Sequence, residues 1–229
     1  MNTLSPQHQA VVNHLVAAYR AGYFPMADTD GRVGLPGGIV WLSPDPRGIM
    51  PIREEDGFHI PRRLRSRVRS GRFRITADTA FTEVMEGCAE PRPQEEGTWI
   101  DDRFIEAYTA MHHAGLAHSV EAWLDGPDGP RLVGGVYGVH LGAAFFAESK
   151  FCRPQDGGTD ASKVCLVHLV HHLRRRGFAL LDTQFWNAHI GQFGCREIPR
   201  DEYLRRLNEA LAQEQSWAPF EPERTMREV

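Results

Sequence analysis

Apolar residues recur at Val12, Leu15, Val16 and Tyr19 behind Ser5-Pro6, and the run stops at Gly22. That spacing predicts an amphipathic helix with a serine cap and a proline in its first turn. From Tyr23 to Phe58 the chain is rich in Gly and Pro, which predicts loops and short strands. Ile60, Leu64 and Val68 recur every fourth residue and predict a short helix ending near Gly71, its apolar edge inward and its arginines outward. Phe73 to Thr76 is a short strand candidate, and a helix capped near Asp78 should carry Phe81, Val84, Met85 and Cys88 inward. A further helix is expected after Asp101-Asp102. His118 to Asp125, Leu132 to Leu141 and Ala144 to Phe151 then read as three antiparallel strands with turn residues between them. A long helix from Ala161 to Arg176, an apolar strand FALLDTQ, and a last helix through Tyr203, Leu204, Leu207 and Leu211 complete the pattern.

A meander, a long helix and one more strand make an α+β fold with a mixed or antiparallel sheet and flanking helices, the layer used by acyltransferases of the GNAT class. Fold analogy alone says little about chemistry. With 229 residues and 41% hydrophobic content the chain can bury its own core, and a monomer is expected. Cys88, Cys152, Cys165 and Cys195 are scattered and form no C-x-x-C pair, so neither a zinc cluster nor a disulfide framework is predicted. No apolar run approaches a membrane span, and the start MNTLSPQHQAVV lacks signal-peptide order; a cytoplasmic protein is expected.

The net charge of -4 disfavours a nucleic-acid partner in bulk, but the charge is unevenly spread. Arg62, Arg63, Arg65 and Arg67 begin a run of arginines reaching Arg74, and acidic residues concentrate elsewhere. This basic patch reads either as a solvated helix face or as a phosphate-contacting surface.

In LLDTQ, Asp182 and Gln184 stand two apart, so strand alternation sends both side chains to one face. A carboxylate at the end of an apolar strand is more commonly a turn or cap residue than a catalytic base, and the pattern leaves both open. Glu148, flanked by aromatic residues in FFAESKF, is a second carboxylate expected to be partly buried, with an ordinary salt bridge as its plainer role. His168, His171 and His172 share one helix without a metal-binding partner motif, and a wet helix face is expected rather than a metal site. Trp41, Trp99, Phe145, Phe146 and Trp186 read as core aromatics.

Many phrases in order resemble the bacterial leucyl/phenylalanyl-tRNA protein transferases: WLSPDPRG from Trp41, HIPRRLR from His59, EEGTWI from Glu95, HSVEAW from His118, LVGGVYGV from Leu132, AESKF from Ala147, ASK from Ala161, LLDTQ from Leu180 and GCREIPRDEYL from Gly194. The resemblance implies a small N-terminal α/β domain (1–60) and a GNAT-like transferase domain (61–229), with no cofactor and no metal. It implies transfer of leucine or phenylalanine, and by extension methionine, from aminoacyl-tRNA to a protein beginning with Arg or Lys, which is then marked for N-degron proteolysis. By position it makes Asp182, Gln184 and Glu148 the catalytic and acceptor-site residues, with Glu148 on the acceptor's cationic side chain or its amine. Trp99 and Tyr108 would surround the 3′-adenosine. Val136, Phe145, Leu166, Leu169 and Leu173 would wall an apolar aminoacyl pocket, and Arg62, Arg63, Arg65 and Arg67 are candidates for tRNA phosphates. Lys150 stands where the family usually has methionine, and Met26 where it usually has tryptophan. The lysine stem is expected at the pocket rim with its charge outward.

Two other readings remain open on local sequence. An acyl-CoA enzyme would need a pyrophosphate loop, but Gln155 to Asp160 ends in a carboxylate that repels an anion. A non-enzymatic RNA-binding module would explain the arginines and leave Asp182, Gln184 and Glu148 without a role.

Overall fold

Ser5 accepts the backbone N–H of His8 and caps helix α1 (Pro6–Arg20), whose Val12, Leu15 and Tyr19 are buried. The chain then forms the two-stranded antiparallel ribbon β1 (Phe24–Asp28) and β2 (Gly38–Leu42). The computed structural model describes residues 4–28, 37–91 and 98–229. Strand β3 (Arg47–Met50) and helix α2 (Arg62–Arg69) follow. Next come β4 (Arg74–Ala77), α3 (Phe81–Ala89), α4 (Asp102–His113), and the strands β5 (Ala117–Gly126), β6 (Gly129–Leu141) and β7 (Ala144–Cys152). Helix α5 (Ala161–Arg175) leads to β8 (Leu180–Gln184), the short helix α6 (Ala188–Gly191), β9 (Arg196–Ile198), α7 (Arg200–Leu211) and α8 (Pro222–Glu228).

Seven strands form one mixed sheet in the order β4-β5-β6-β7-β8-β3-β9. The meander β4 to β7 is antiparallel, and α5 returns the chain so that β8 runs parallel to β7. Strand β3, drawn from the Gly- and Pro-rich stretch, inserts between β8 and β9 and is antiparallel to both. Part of the segment expected in a small N-terminal unit is therefore woven into the large sheet.

Alternation along the strands sends side chains into two cores. One lies under α1, α3, α4 and α7 and contains Tyr19, Phe104, Tyr108, Tyr137, Phe146 and Tyr203. The other lies under α2 and α5 and contains Val136, Phe145, Leu166, Leu169 and Leu173. Each large aliphatic side chain so buried stabilises the fold by about 1.5–3 kcal/mol relative to exposure.

Helix α5 differs from expectation. His168, His171 and His172 are each about 1% exposed rather than wet. Trp217 and Phe220, from the segment after α7, pack their rings on His172, and Glu228 of α8 meets His171 and Arg175. This C-terminal segment covers a face that α5 alone would leave open. Burial pushes His168 down to about 3 and His172 down to about 4, so both are neutral imidazoles at pH 7. Trp41 and Trp186, read as core, are 36% and 47% exposed.

Candidate active site

Strand β7 carries a bulge opposite the step from Tyr137 to Gly138. Gly138 pairs with Ala147 and Tyr137 with Ser149, so Glu148 is the extra residue. A bulge re-aims the side chain it inserts. Glu148 is turned towards α1 and α4, where Tyr108 Oη lies 3.5 Å from its Oε2 and Tyr19 Oη lies 2.5 Å from Tyr108 Oη. Both tyrosines are fully buried. Burial raises their pKa values well above normal, so the hydroxyls keep their protons and face the carboxyl as donors.

Burial pushes the Glu148 carboxyl up to about 8; hydrogen bonds from Tyr19 and Tyr108 and the Arg47 charge oppose the rise, and the Asp182 charge adds to it. Part of Glu148 remains open to solvent.

A second irregularity lies across the gap. Between β3 and β8 the register steps from Ile49↔Asp182 to Gly48↔Gln184, which leaves Thr183 as the extra residue. Gln184 takes φ +59°, in the left-handed region. Its backbone N–H donates to Asp182 Oδ1 at 2.8 Å, and its Nε2 donates to Glu148 Oε1 at 3.1 Å. Asp182, Gln184 and Glu148 are thus brought together, as the sequence reading expected, but not by two side chains leaving one flat strand face.

Asp182 is completely buried. Arg47 grips it with two hydrogen bonds, Nε to Oδ1 at 3.0 Å and Nη2 to Oδ2 at 2.7 Å, and Tyr203 Oη donates to Oδ2 at 2.7 Å. Counting the Gln184 N–H, both carboxylate oxygens are engaged by fixed donors. A carboxylate so occupied and so remote from solvent orients its neighbours rather than taking protons from a substrate.

Arg47 is itself wholly buried, between the rings of Phe24 and Tyr203, and donates through Nη1 to the Gly22 carbonyl at 3.1 Å. Burial works against its charge, yet the Asp182 carboxylate keeps its pKa above the ordinary value. Arg47, Tyr203 and Tyr19 were not singled out from sequence. The signal available was an arginine inside the otherwise apolar and turn-forming phrase SPDPRGIM, which a strand leading into a core would not carry without a buried partner.

The remaining expected site residues fall into three groups. Tyr108 lines a cavity of about 630 Å³ between α1, the β1–β2 ribbon and α4, together with Val11, His14, Trp41 and Phe104. Trp99 is half-buried and meets Phe104 edge-on at 5.3 Å. Val136, Phe145, Leu166, Leu169 and Leu173 are 0–3% exposed and packed in the second core, so they form a closed wall rather than an open pocket. Lys150 is half-buried opposite Val136 in the β6–β7 register, and Met26 is half-buried in β1. On α2, Arg62, Arg63 and Arg65 are exposed and Arg67 is half-buried, with Leu64 and Val68 beneath them. The one cluster with ligand spacing among the described residues, Asp78, His112 and His118, belongs to another part of the sheet.

The site thus joins a carboxyl pushed up to about 8, a side-chain amide bonded to it, and a buried ion pair that holds the backbone of the residue bearing that amide. The family model for leucyl/phenylalanyl-tRNA protein transferase matches residues 52–208, and the model for the N-terminal domain of the same family matches residues 12–45. Curated proteins named leucyl/phenylalanyl-tRNA protein transferase are similar along most of the chain. The one from Hyphomonas neptunium is 50% identical over 199 residues, 86% of this chain and 70% of its own. Those from Paramagnetospirillum magneticum and Nitrosomonas europaea are 48% and 46% identical, covering 89% and 86% of this chain and 90% and 77% of theirs. The chain belongs to the leucyl/phenylalanyl-tRNA protein transferase family and is a transferase. Among solved structures, a crystal structure of FemX aligns over 77% of this chain and 60% of that one at a TM-score of 0.46 and 12% identity, too distant to bring residues or chemistry across.

Proposed function

We propose that this chain moves leucine, phenylalanine or methionine from a charged tRNA to the N-terminal amine of a protein beginning with Arg or Lys, in the cytoplasm and as a monomer, so marking that protein for N-degron proteolysis. The observation that carries the reading is Glu148. Its carboxyl is pushed up to about 8, matching an α-amine with pKa near 7.7–8.0. A base so matched takes the amine proton with little driving force lost in either direction.

An aminoacyl ester is already activated, so aminolysis needs no nucleotide. Ionised Glu148 takes the ammonium proton, the freed amine nitrogen attacks the ester carbonyl, and the tetrahedral nitrogen releases its extra proton to solvent. The C–O bond to the ribose then breaks, and the leaving oxygen takes a proton from its vicinal hydroxyl or from solvent. Gln184 holds the Glu148 carboxyl through Nε2 and offers its amide oxygen to the amine. Asp182, fixed by Arg47 and Tyr203, holds the Gln184 backbone in its unusual conformation. Proximity supplies much of the rate, so rigid positioning is the main demand on the protein.

The cavity at Tyr108, with Trp41 and Phe104 in its walls and Trp99 behind Phe104, suits the terminal adenosine of the tRNA. The wall formed by Val136, Phe145, Leu166, Leu169 and Leu173 is the apolar surface nearest in chemistry to the transferred side chain. Arg62, Arg63, Arg65 and Arg67 contact phosphates of the same tRNA. A meander followed by a helix and a parallel strand supports a GNAT-like reading of the sheet, and residues 1–60 are read as a small N-terminal unit that lends β3 to that sheet. Transfer from charged tRNA to an Arg-starting peptide under single-turnover conditions tests the proposal. Wild type should transfer and Glu148→Gln should be slowed by about two orders of magnitude. Equal rates would remove Glu148 from the chemistry.

A further inference from the structure

Two hydroxyls behind Glu148 are not explained by packing. Tyr19 on α1 and Tyr108 on α4 are both completely buried. Other rings seat them, Phe146 against Tyr19 at 4.9 Å and Tyr137 against Tyr108 at 5.6 Å, and phenylalanine would make those contacts as well. A buried hydroxyl costs free energy unless it is hydrogen-bonded. Here the two Oη atoms lie 2.5 Å apart, with either able to donate to the other, and Tyr108 Oη lies 3.5 Å from Glu148 Oε2. The three groups form a chain drawn from α1, α4 and the bulge of β7.

The two oxygens of Glu148 face different chemistry. Oε1 accepts from Gln184 Nε2 at 3.1 Å. An amide nitrogen only donates, so this oxygen is held as an acceptor and the proton belongs on Oε2. Oε2 faces hydroxyls, which both donate and accept. When the carboxyl is ionised, Tyr108 donates to Oε2 and Tyr19 donates to Tyr108. When Oε2 carries the proton, it donates to the Tyr108 oxygen and Tyr108 donates to Tyr19. The chain reverses by turning hydroxyl hydrogens, and no heavy atom has to move. A lysine or arginine there would bond the ionised form alone, and a carbonyl the neutral form alone. The other charged or titratable groups around Glu148 are Arg47 on β3, Asp182 on β8, Tyr137 on β6 and Tyr203 on α7. Arg47 and Asp182 are already bound to each other, and Tyr203 donates to Asp182.

We infer that Tyr19 and Tyr108 are positioning residues for Glu148, their paired hydroxyls keeping Oε2 hydrogen-bonded in both protonation states so that the carboxyl ionises and is reprotonated without moving. The inference rests on the transferase reading above and assigns how its base is kept usable. It also gives the N-terminal helix α1, through Tyr19, a part in the chemistry.

The test follows the protonated-carboxyl infrared band of Glu148, identified by its loss in Glu148→Gln, between about pH 6 and 10 in the free protein. Tyr19→Phe and Tyr108→Phe each remove a donor that favours the ionised form. Each should raise the midpoint by about one pH unit above the wild-type value of about 8, the tenfold scale of a hydrogen bond to a charged group. In single turnover at saturating charged tRNA with an Arg-starting peptide, each variant should then be about tenfold slower than wild type at pH 7 and within about twofold at pH 9. The ionised fractions differ most below both midpoints and converge above them, and the titration of the acceptor amine cancels in the ratio. A midpoint unchanged or lowered in both variants overturns the inference, as does a rate loss by the same factor at every pH, which marks the hydroxyls as a structural pair. A wild-type chain that transfers to no acceptor overturns the transferase reading, and the infrared midpoints still decide the role of the pair.

Discussion

Replacing Arg47 with methionine keeps the volume of the side chain between Phe24 and Tyr203 but deletes the charge that balances Asp182. Asp182 would then keep only the Tyr203 hydroxyl and the Gln184 N–H, in a place with no access to water. Breaking one side of such a buried pair costs about 3–5 kcal/mol, and the Gly22 carbonyl also loses its donor. With a urea slope of about 2–3 kcal/mol/M, the unfolding midpoint should fall by about 1–2 M. The same logic applies to Asp182→Asn, which leaves a buried guanidinium facing a neutral amide, so this variant should lose stability as well as transfer. In the double variant no unbalanced charge remains. Arg47→Met should therefore cost about 1 kcal/mol or less in the Asp182→Asn background, a coupling of at least about 2 kcal/mol. Urea unfolding of the four proteins, with the slope checked for constancy, measures it. A coupling below about 0.5 kcal/mol would show that the pair is not the anchor of the site, whatever its geometry.

Three further outcomes are expected. Glu148 has a folded pKa of about 8 against 4.5 unfolded, so the native state binds the extra proton between those values; its contribution is full below about pH 4.5 and is lost as pH rises through about 8. Glu148→Gln should accordingly be more stable than wild type at pH 9, by on the order of 2–4 kcal/mol at most, and gain little at pH 5, as read from urea unfolding at both pH values. Alanine at Arg62, Arg63, Arg65 and Arg67 should weaken binding of all tRNAs alike and lower the slope of log affinity against log salt by about 1 per true contact, and an unchanged slope would leave α2 a solvated face. Lys150→Met should raise transfer of phenylalanine relative to leucine by about tenfold, and a wild-type preference for aspartyl-tRNA would show instead that Lys150 faces the donor side chain.

The fold was readable where one element buries one face. The i, i+4 edge Ile60, Leu64, Val68 needs only a sheet to lie on, and α2 and its outward arginines formed as the pattern predicted. The long strands β5, β6 and β7 were readable from their length and from the turn residues between them, although β6 is buried on both faces for ten residues. Short elements were not readable. Strand β3 has four residues, all buried on both faces, and so shows no alternation at all. Strand β9 has three. The histidines of α5 look solvent-facing by composition, and only a segment more than forty residues later, at Trp217, makes them core.

Two-residue alternation brought Asp182 and Gln184 to attention for a reason that the structure replaces. Alternation assumes an unbroken ladder, and both strands that build the site break theirs, β7 at Glu148 and β8 at Thr183. Each break inserts one residue, which turns a carboxylate out of the pleat in one case and puts Gln184 at φ +59° in the other. Such a conformation costs about 1–3 kcal/mol for a residue with a side chain. Something must hold it, and here that is the Asp182 carboxylate, which in turn requires Arg47 to be buried with it. The same chain of requirements explains why β3, drawn from a turn-rich stretch and lying second from one edge of the sheet, carries a buried arginine. Local rules fail first at the residues a reaction needs out of line. A third register break in the same sheet, between Ala122 and Trp123, lies between β5 and β6, neither of which pairs with β8. A bulge alone is therefore insufficient, and what distinguishes this corner is that two bulges face one another with a buried ion pair behind them.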